Sequence, residues 1–498
     1  MGTNLHCRST LYTVNQIRQI EQYAYQNHLA TEDALMTCAG QAAYQAMRKR
    51  WPQAGLITVC CGNGNNGGDG YVLARQAHEE GLSVTVLCLT LEHPLKGPAL
   101  NAFNHAKAAG VTIQVFDPAV SIEADVIVDA LLGIGLSGEI TENLKVFIDA
   151  INLAPYPVYA IDGPSGLLAD SGCIAGTAVK ADATITFIGR KRGFYTAEGP
   201  EYCGEMDCHD LNLPLAAFQS IQSNAELLQW SKLKTLLPRR DRGAHKGDHG
   251  HVLVIGGDYG MGGAVRMAAE AALRVGAGLV TVATRPEHVP VVSGSRPELM
   301  CRQVAHKDDL LPLIDKATVI VIGPGLGRTE WAEMLLFHVL LSDKPKVLDA
   351  DALNLLINVP QKRTDWILTP HPGEAGRLLS SNGTVVQANR FTAVAQLQQI
   401  YGGVTVLKGA GTLVKDNTDL IYVCAAGNPG MATGGMGDIL SGVIGGLAGQ
   451  SISLVDAARL GVFVHAKAAD IAAAEEGERG LLATDLLAHL RELVNPET

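Results

Sequence analysis

Twelve short runs rich in Val, Ile and Leu recur along the chain with helical stretches between them, and six of them lead into a glycine-rich loop. Strands separated in this way are joined in parallel, in sheets covered by helices. Such sheets hold ligands beyond the carboxyl ends of their strands, so function is to be sought in the loops. The runs form two series. Residues 56–61, 84–89, 112–116, 126–129, 158–161 and 183–188 make the first; residues 251–255, 279–283, 319–322, 346–348, 366–368 and 404–407 make the second. Between them, residues 214–238 are polar and Gln-rich and 239–248 are charged, a stretch across which few sheet contacts need to pass. A length of 498 residues exceeds one ordinary core and fits two or three domains. The expected fold is α/β, with a three-layer domain over residues 1–225 and a second α/β domain over 226–498. The two series share no obvious repeat, so duplication is not expected.

Composition removes several function classes. Lys and Arg number 39 against 50 Asp and Glu, a net charge of −11, which repels nucleic acid and anionic membranes. Neither is expected as a partner. Hydrophobic residues make up 47% and charged residues 18%, so the chain can bury large cores and leaves little for disorder. No apolar run reaches the roughly 18 residues of a membrane span, and residues 1–15 lack the basic-then-apolar order of a signal peptide. A cytoplasmic location is expected. The ten cysteines follow no secreted-domain framework and read as packed free thiols in a reducing compartment. Cys203, Cys208 and His209 lack a second half-site, so no metal is assigned to them.

The first run leads into Gly62-Asn63-Gly64-Asn65-Asn66-Gly67-Gly68-Asp69-Gly70, with a helix expected over 71–80. Gly62, Gly64 and Gly67 have the spacing that lets backbone N–H groups and a helix N-terminus approach a pyrophosphate. A hydride-transfer dehydrogenase also needs an acid at the tip of the second strand, where this chain has Cys88, Leu89 and Thr90. That class is demoted. Asn65, Asn66 and Asp69 exceed what turning the chain requires, although a plain cluster of turn formers is the bland alternative. Asp129 and Asp162 end two further runs, leading into Gly133-Ile134-Gly135-Leu136-Ser137-Gly138-Glu139 and into Gly163-Pro164-Ser165-Gly166. Asn66, Asp129 and Ser165 would bring hard oxygen donors to one sheet edge, suited to a hard cation. Helix capping explains any one of them alone.

Three motifs in this order, Gly-Asn-Asn-Gly-Gly-Asp-Gly, Val-Asp-Ala-Leu-Leu-Gly-Ile-Gly and Ile-Asp-Gly-Pro-Ser-Gly, resemble the NAD(P)H-hydrate epimerase family, over roughly residues 10–215. The resemblance implies a Rossmann-like domain whose hydrated dinucleotide site is lined by Asn65, Asn66, Gly67, Gly68, Asp69, by Gly133, Ile134, Gly135, Leu136, Ser137, Gly138, Glu139, and by Asp162 as acid/base. It also implies potassium held by Asn66, Asp129 and Ser165.

The second half has no Walker phosphate loop. It has Gly427-Asn428-Pro429-Gly430-Met431-Ala432-Thr433-Gly434-Gly435-Met436-Gly437-Asp438 before a small-residue helix expected over 439–448. Glycines at such an entrance expose N–H groups to a transferring phosphoryl group, and Asp438 beside them can take a hydroxyl proton, though it can also merely cap the helix. Further loops place Gly325 and Gly327, His371, and Lys408-Gly409-Ala410-Gly411-Thr412 at strand ends. His465 reads as a satisfied core histidine.

With Leu348-Asp349-Ala350-Asp351-Ala352-Leu353-Asn354, these motifs resemble the ribokinase-like NAD(P)H-hydrate dehydratases over roughly residues 235–495. By that resemblance Lys408, Gly409, Ala410, Gly411, Thr412 and Gly437 hold the adenine nucleotide, while Ala264, Gly325, Gly327, His371 and Asp438 face the hydrated nicotinamide. The resemblance implies repair of hydrated NADH and NADPH, with K+ and Mg2+ as cofactors and an adenine nucleotide as co-substrate, ADP in bacteria and ATP elsewhere; nothing in Lys408 to Thr412 decides between them, and the bacterial-style fusion favours ADP. A homo-oligomer is expected. A rival stays open: a kinase of a small vitamin-like alcohol fused to a non-catalytic interaction module, since fold does not fix function.

Overall fold

The computed structural model describes Cys7 and residues 9–90, 95–136 and 138–496. The chain divides into two compact units, Met1–Glu226 and Leu227–Thr498.

The core of the first unit is a seven-stranded parallel sheet, in the order Thr112–Val115, Ser83–Cys88, Leu56–Cys61, Val126–Ala130, Val158–Ile161, Ala183–Phe187, Glu205–His209. The central strands are buried throughout, as near-continuous apolar runs require. Strand order reverses where Leu56–Cys61 lies beside Val126–Ala130, and a ligand crevice opens at such a switch point. The helix Val14–Gln26 starts at a capping box, with Gln16 N donating to Thr13 Oγ1 (3.2 Å) and Thr13 N to Gln16 Oε1 (2.9 Å), and buries Ile17, Ile20 and Ala24. The next-but-one helix spans Asn65–Glu79, six residues earlier than expected. Glycine costs about 1 kcal/mol in a helix, but this one packs too closely for anything larger. A Cβ at Gly68 would lie 2.5 Å from Met36 Sδ, and one at Gly70 2.7 Å from Ala130 Cβ.

Cys7 and Cys208 are bridged, with Cα atoms 5.7 Å apart, against the expectation of free thiols. The fold brings the N-terminal segment beside the last strand of the sheet, a pairing across 201 residues that spacing does not reveal. Cys38, Cys60, Cys61, Cys88, Cys203, Cys301 and Cys424 are free thiols, as expected.

In the second unit the sheet runs Met300–Gln303, Leu279–Thr284, His251–Ile255, Val319–Ile322, Lys346–Leu348, Trp366–Leu368, Val404–Leu407, Thr412–Lys415, Ile421–Cys424. The first seven strands are parallel and the last two close it as antiparallel hairpins. The helices Gly262–Arg274 and Met436–Gly449 pack against each other through small residues; a Cβ at Gly442 would lie 1.9 Å from the Ala268 carbonyl oxygen. The latter helix begins three residues before the expected start, which places Asp438 inside its first turn. His465 is buried as expected but not fully satisfied: its Nε2 has no partner, and burial pushes the imidazole down to about 4. Among the described residues no helix is long and apolar enough to cross a membrane.

Candidate functional site

At the switch point of the first sheet, Gly62 N donates to the Ala130 carbonyl (2.9 Å), so the two loops leave the sheet side by side. A Cβ at Gly62 would lie 1.8 Å from the Leu131 carbonyl oxygen, which is why that position has none. Above them is a cavity of about 680 Å³ lined by Asn65, Asn66, Asp69, Gly133, Ile134, Gly135, Leu136 and Asp162, together with Arg18, Glu21, Tyr25, Glu32 and Lys191. Gly67 and Gly68 instead pack inside the helix, and Gly138 and Glu139 are exposed away from the cavity lining. Ser137 lies outside the described residues.

Asp162 sits in left-handed backbone (φ 61°), a conformation that costs about 1–3 kcal/mol in a non-glycine residue and is retained mainly at functional sites. Its Oδ1 accepts from Lys191 Nζ at 2.7 Å. Lys191 is fully buried and also donates to Thr186 Oγ1 (2.6 Å) and the Phe187 carbonyl (2.9 Å), so the ammonium protons are all used. Asp162 Oδ2 faces Gly133, where a Cβ would stand 3.4 Å away. Burial, then the Asp162 charge and then Glu21, raise Asp69 well above the usual carboxylate range.

Below the cavity lining, Asp129 is completely buried and accepts from Ser165 Oγ (2.6 Å), Ser165 N (2.8 Å) and Leu131 N (3.2 Å). Burial pushes it up to about 6 against those bonds. Asn66 is 7% exposed, and neither Oδ1 nor Nδ2 has a protein partner. A buried amide left unsatisfied costs about 1–3 kcal/mol; a hard monovalent cation would satisfy Oδ1, while the Nδ2 hydrogens need an acceptor from a ligand. The oxygens of Asn66, Asp129 and Ser165 are of the hard type that potassium takes. Among the described residues no three His, Cys, Asp or Glu side chains form a metal cluster.

In the second unit the centre is Asp349, buried at the N-cap of Ala350–Leu356. It accepts from Lys408 Nζ (2.8 Å), Ser441 Oγ (2.6 Å) and Thr369 Oγ1 (2.8 Å). Burial alone would raise Asp349, but Lys408 and the two hydroxyls outweigh it and hold the carboxyl below its ordinary value. Lys408 Nζ is also 3.9 Å from Glu374 and lies where a Cβ at Gly437 would approach within 3.3 Å. Asp438 faces the same group of charges, and burial, then Asp349, push it up to about 7. The helix it starts has Gly435 at its N-cap (φ 90°) and no side-chain cap, so first-turn N–H groups stay available to an anion. Gly325 and Ala264 are adjacent, since a Cβ at Gly325 would lie 3.1 Å from Ala264 Cβ. Gly327 N donates to Asp351 Oδ2 (3.0 Å). His371 is exposed, caps Pro372–Leu378 by accepting from Gly373 N (3.0 Å), and is lowered by burial of its ring and by Lys408. A side chain the sequence reading missed, Arg390, is buried and donates to the carbonyls of Leu407, Lys408 and Gly411, fixing the 408–412 loop from behind. Ser441, Lys191 and Glu21 were also missed; Asp349 and Glu374 were given no role, although each had a signal, Asp349 in the Leu348–Asn354 segment and Glu374 at the end of the strand-end loop over 369–374.

A larger cavity, about 1540 Å³ in the second unit, holds none of the expected residues. Its arginines 239, 240, 274, 296 and 491 are balanced by Asp241, Asp248, Glu270, Glu298 and Asp456.

Residues 252–492 match the NAD(P)H-hydrate dehydratase family, and residues 32–193 match the family described as YjeF-related protein N-terminus. The chain is 60% identical over 488 residues to the bifunctional NAD(P)H-hydrate repair enzyme of Coxiella burnetii, covering 98% of this chain and 100% of that one. To the enzyme of the same name from Escherichia coli K12 it is 45% identical, covering 98% of this chain and 94% of the other. A solved ribokinase-like superfamily protein from Enterococcus faecalis, 28% identical with a TM-score of 0.51, covers 55% of this chain and 96% of its own. With two family matches in order and relatives spanning nearly its whole length, the chain belongs to the bifunctional NAD(P)H-hydrate repair enzymes.

Proposed function

We propose that this chain repairs hydrated NADH and NADPH in two steps, one in each unit. Water added to the nicotinamide ring leaves a hydroxyl on a carbon beside nitrogen, as two epimers. The first unit interconverts them, with Asp162 as acid/base and Asn65, Asn66, Asp69 and Gly133–Leu136 around the coenzyme. The second unit removes water from one epimer, S, at the expense of ADP. Asp438 takes the hydroxyl proton as the β-phosphoryl group moves from ADP to that oxygen, and phosphate then leaves as a better group than hydroxide. AMP, phosphate and NAD(P)H result. Lys408 to Thr412 and Gly437 hold the nucleotide; Ala264, Gly325, Gly327 and His371 face the nicotinamide.

In this reading potassium is held by Asn66, Asp129 and Ser165, where its charge offsets the buried carboxylate and steadies the loop that follows. Magnesium comes with the nucleotide phosphates. Residues 1–225 and 226–498 are the two functional domains, and the enzyme is a cytoplasmic homo-oligomer acting on the coenzyme pool. The observation that carries the reading is that each unit places a carboxylate and a glycine-lined crevice at the carboxyl edge of its own parallel sheet, with a lysine fixing one carboxylate in each. Kinase action on a small alcohol leaves the first crevice without a purpose.

The test supplies a mixture of both hydrate epimers to the pure protein with magnesium, potassium and either ADP or ATP. Recovery of dihydronicotinamide absorbance should run to completion with ADP, faster than the epimers interconvert without protein. Arrest at one epimer removes the first activity, and accumulation of a stable phosphorylated product removes the second.

A further inference from the structure

The cavity of the first unit carries more acids than the single acid/base assigned to it. Glu21, Asp69 and Asp162 all line it, and the buried cation there, Lys191, is committed to Asp162. Asn66 lines the same cavity at 7% exposure with both amide atoms unpartnered; the proposed potassium accounts for Oδ1 alone, and Nδ2 remains a buried donor open to a polar ligand. Glu21 reaches the cavity from Val14–Gln26, the helix whose capping box and buried Ile17, Ile20 and Ala24 fix its rotation. The charged and titratable groups facing it are Arg18 and Tyr25 on its own helix, Glu32 on Glu32–Arg50, Asp69 on Asn65–Glu79, Asp162, and Lys191.

Inversion at a carbon bearing both hydroxyl and ring nitrogen can proceed by opening the ring. The hydroxyl proton leaves to a base, a C=O bond forms, the C–N bond breaks, and its electron pair on nitrogen takes a proton from an acid. Rotation about the adjacent C–C bond presents the other face of the aldehyde. Closure returns both protons to their donors, so no oxidant, reductant or further reactant is consumed. Two proton carriers of opposite state are needed. Asp162, held by Lys191 Nζ, Thr186 Oγ1 and Phe187 N on Oδ1, keeps Oδ2 as the accepting edge. Resting on the assignment of epimerisation to this unit, we propose that Glu21 is the second catalytic residue, the acid that protonates the ring nitrogen as Asp162 Oδ2 takes the hydroxyl proton. Burial, reinforced by the Asp162 charge, pushes Glu21 up to about 7, so it carries a proton near neutrality.

The experiment measures epimer exchange in the full chain without nucleotide, from pH 5.5 to 8.5, for the wild type, Glu21→Gln and Glu21→Asp. Hydrate binding by direct titration is measured alongside. The wild-type rate should fall as pH rises through about 7, because the acid must be protonated. Glu21→Gln should lower kcat by about 10²–10⁴-fold with binding retained, and lose that limb. Glu21→Asp should keep the limb with a smaller loss. A Glu21→Gln variant that binds hydrate and exchanges epimers within a few-fold of wild type overturns the proposal, as does loss of binding in Glu21→Gln when Glu21→Asp binds normally without the limb. A wild-type chain that does not exchange epimers overturns the epimerase assignment itself, a different result from either.

Discussion

Replacing Asp438 with Asn should disable dehydration and stabilise the second unit together. The carboxyl stands at about 7 in the folded chain against 3.8 for a free one, a rise of about three pH units. At about 1.4 kcal/mol per unit, holding the charged form in the fold costs up to about 4 kcal/mol. The helix N-terminus favours the charge by only about 0.3–1 kcal/mol, so desolvation beside Asp349 wins. Because the folded value is the higher one, the group favours folding fully below its unfolded value, and that contribution is lost as pH rises through about 7. Asn copies the shape of the protonated acid without the charge. Its advantage should therefore be up to about 4 kcal/mol at pH 8 and shrink to about 1.5 kcal/mol at pH 5. Urea unfolding read by tryptophan fluorescence suits the measurement, since Trp230, Trp331 and Trp366 lie in this unit and only Trp51 in the other. The same variant should lose about 10²–10⁴-fold in nucleotide-dependent recovery of NAD(P)H while epimer exchange continues. A destabilised variant, or an equal gain at both pH values, would refute the argument that Asp438 is a buried base kept at an electrostatic cost.

Other consequences can be checked in the same protein. The wild-type dehydration rate should rise about tenfold from pH 6 towards 8 with a midpoint near 7, as the base ionises; a flat profile there contradicts the role of Asp438. Lys408→Met leaves the Asp349 charge buried with two hydroxyls for company, and should cost about 3–5 kcal/mol in urea unfolding. Adding Asp349→Asn should recover part of that loss, and strict additivity of the two would mean the pair is not coupled. Gly62→Ala drives a Cβ to 1.8 Å from the Leu131 carbonyl and should end epimer exchange while sparing dehydration of the S epimer; normal exchange would show that the loop has room. Potassium should raise the thermal midpoint of the wild-type first unit relative to lithium, and Ser165→Ala should lose that response; an unchanged response in the variant removes Ser165 from the cation site.

The strands were legible because each is a short apolar run, and Leu56–Cys61, Val158–Ile161, His251–Ile255 and Val404–Leu407 have the bounds the pattern implies. Glycine misled at the helix starts. At Asn65 and Met436 low helix propensity is overridden by packing against Met36 and Met267, contacts made by residues distant in sequence. Strands such as Glu205–His209 and Met300–Gln303 carry too little apolar periodicity to stand out, and take their form from a neighbour already in the sheet. The catalytic carboxylates end recognisable strands or glycine loops. Lys408 likewise follows a recognisable strand, but its pairing with Asp349, 59 residues away, and that of Lys191 with Asp162, 29 away, leave no mark in the spacing.

Those two pairs express one electrostatic rule. A parallel sheet brings successive strand ends to one edge, and acids gathered there repel one another in a place with little water. One lysine is bonded to one carboxylate in each site: Lys191 donates to Asp162, and Lys408 donates to Asp349 and helps hold it below its ordinary value. The remaining acid then meets both desolvation and a fixed negative neighbour, and both raise it towards neutrality, as at Glu21 and Asp438. The consequence differs with what each site must do. In the second unit Asp438 must lose its proton to act, so the repulsion makes it a stronger base once ionised. In the first, Glu21 must keep its proton, so the same repulsion supplies an acid beside a base. Neutralising the fixed member with Asp162→Asn should end exchange and lower Glu21, read from the NMR titration of its side-chain carboxyl, whereas Lys191→Met should not shift it the same way.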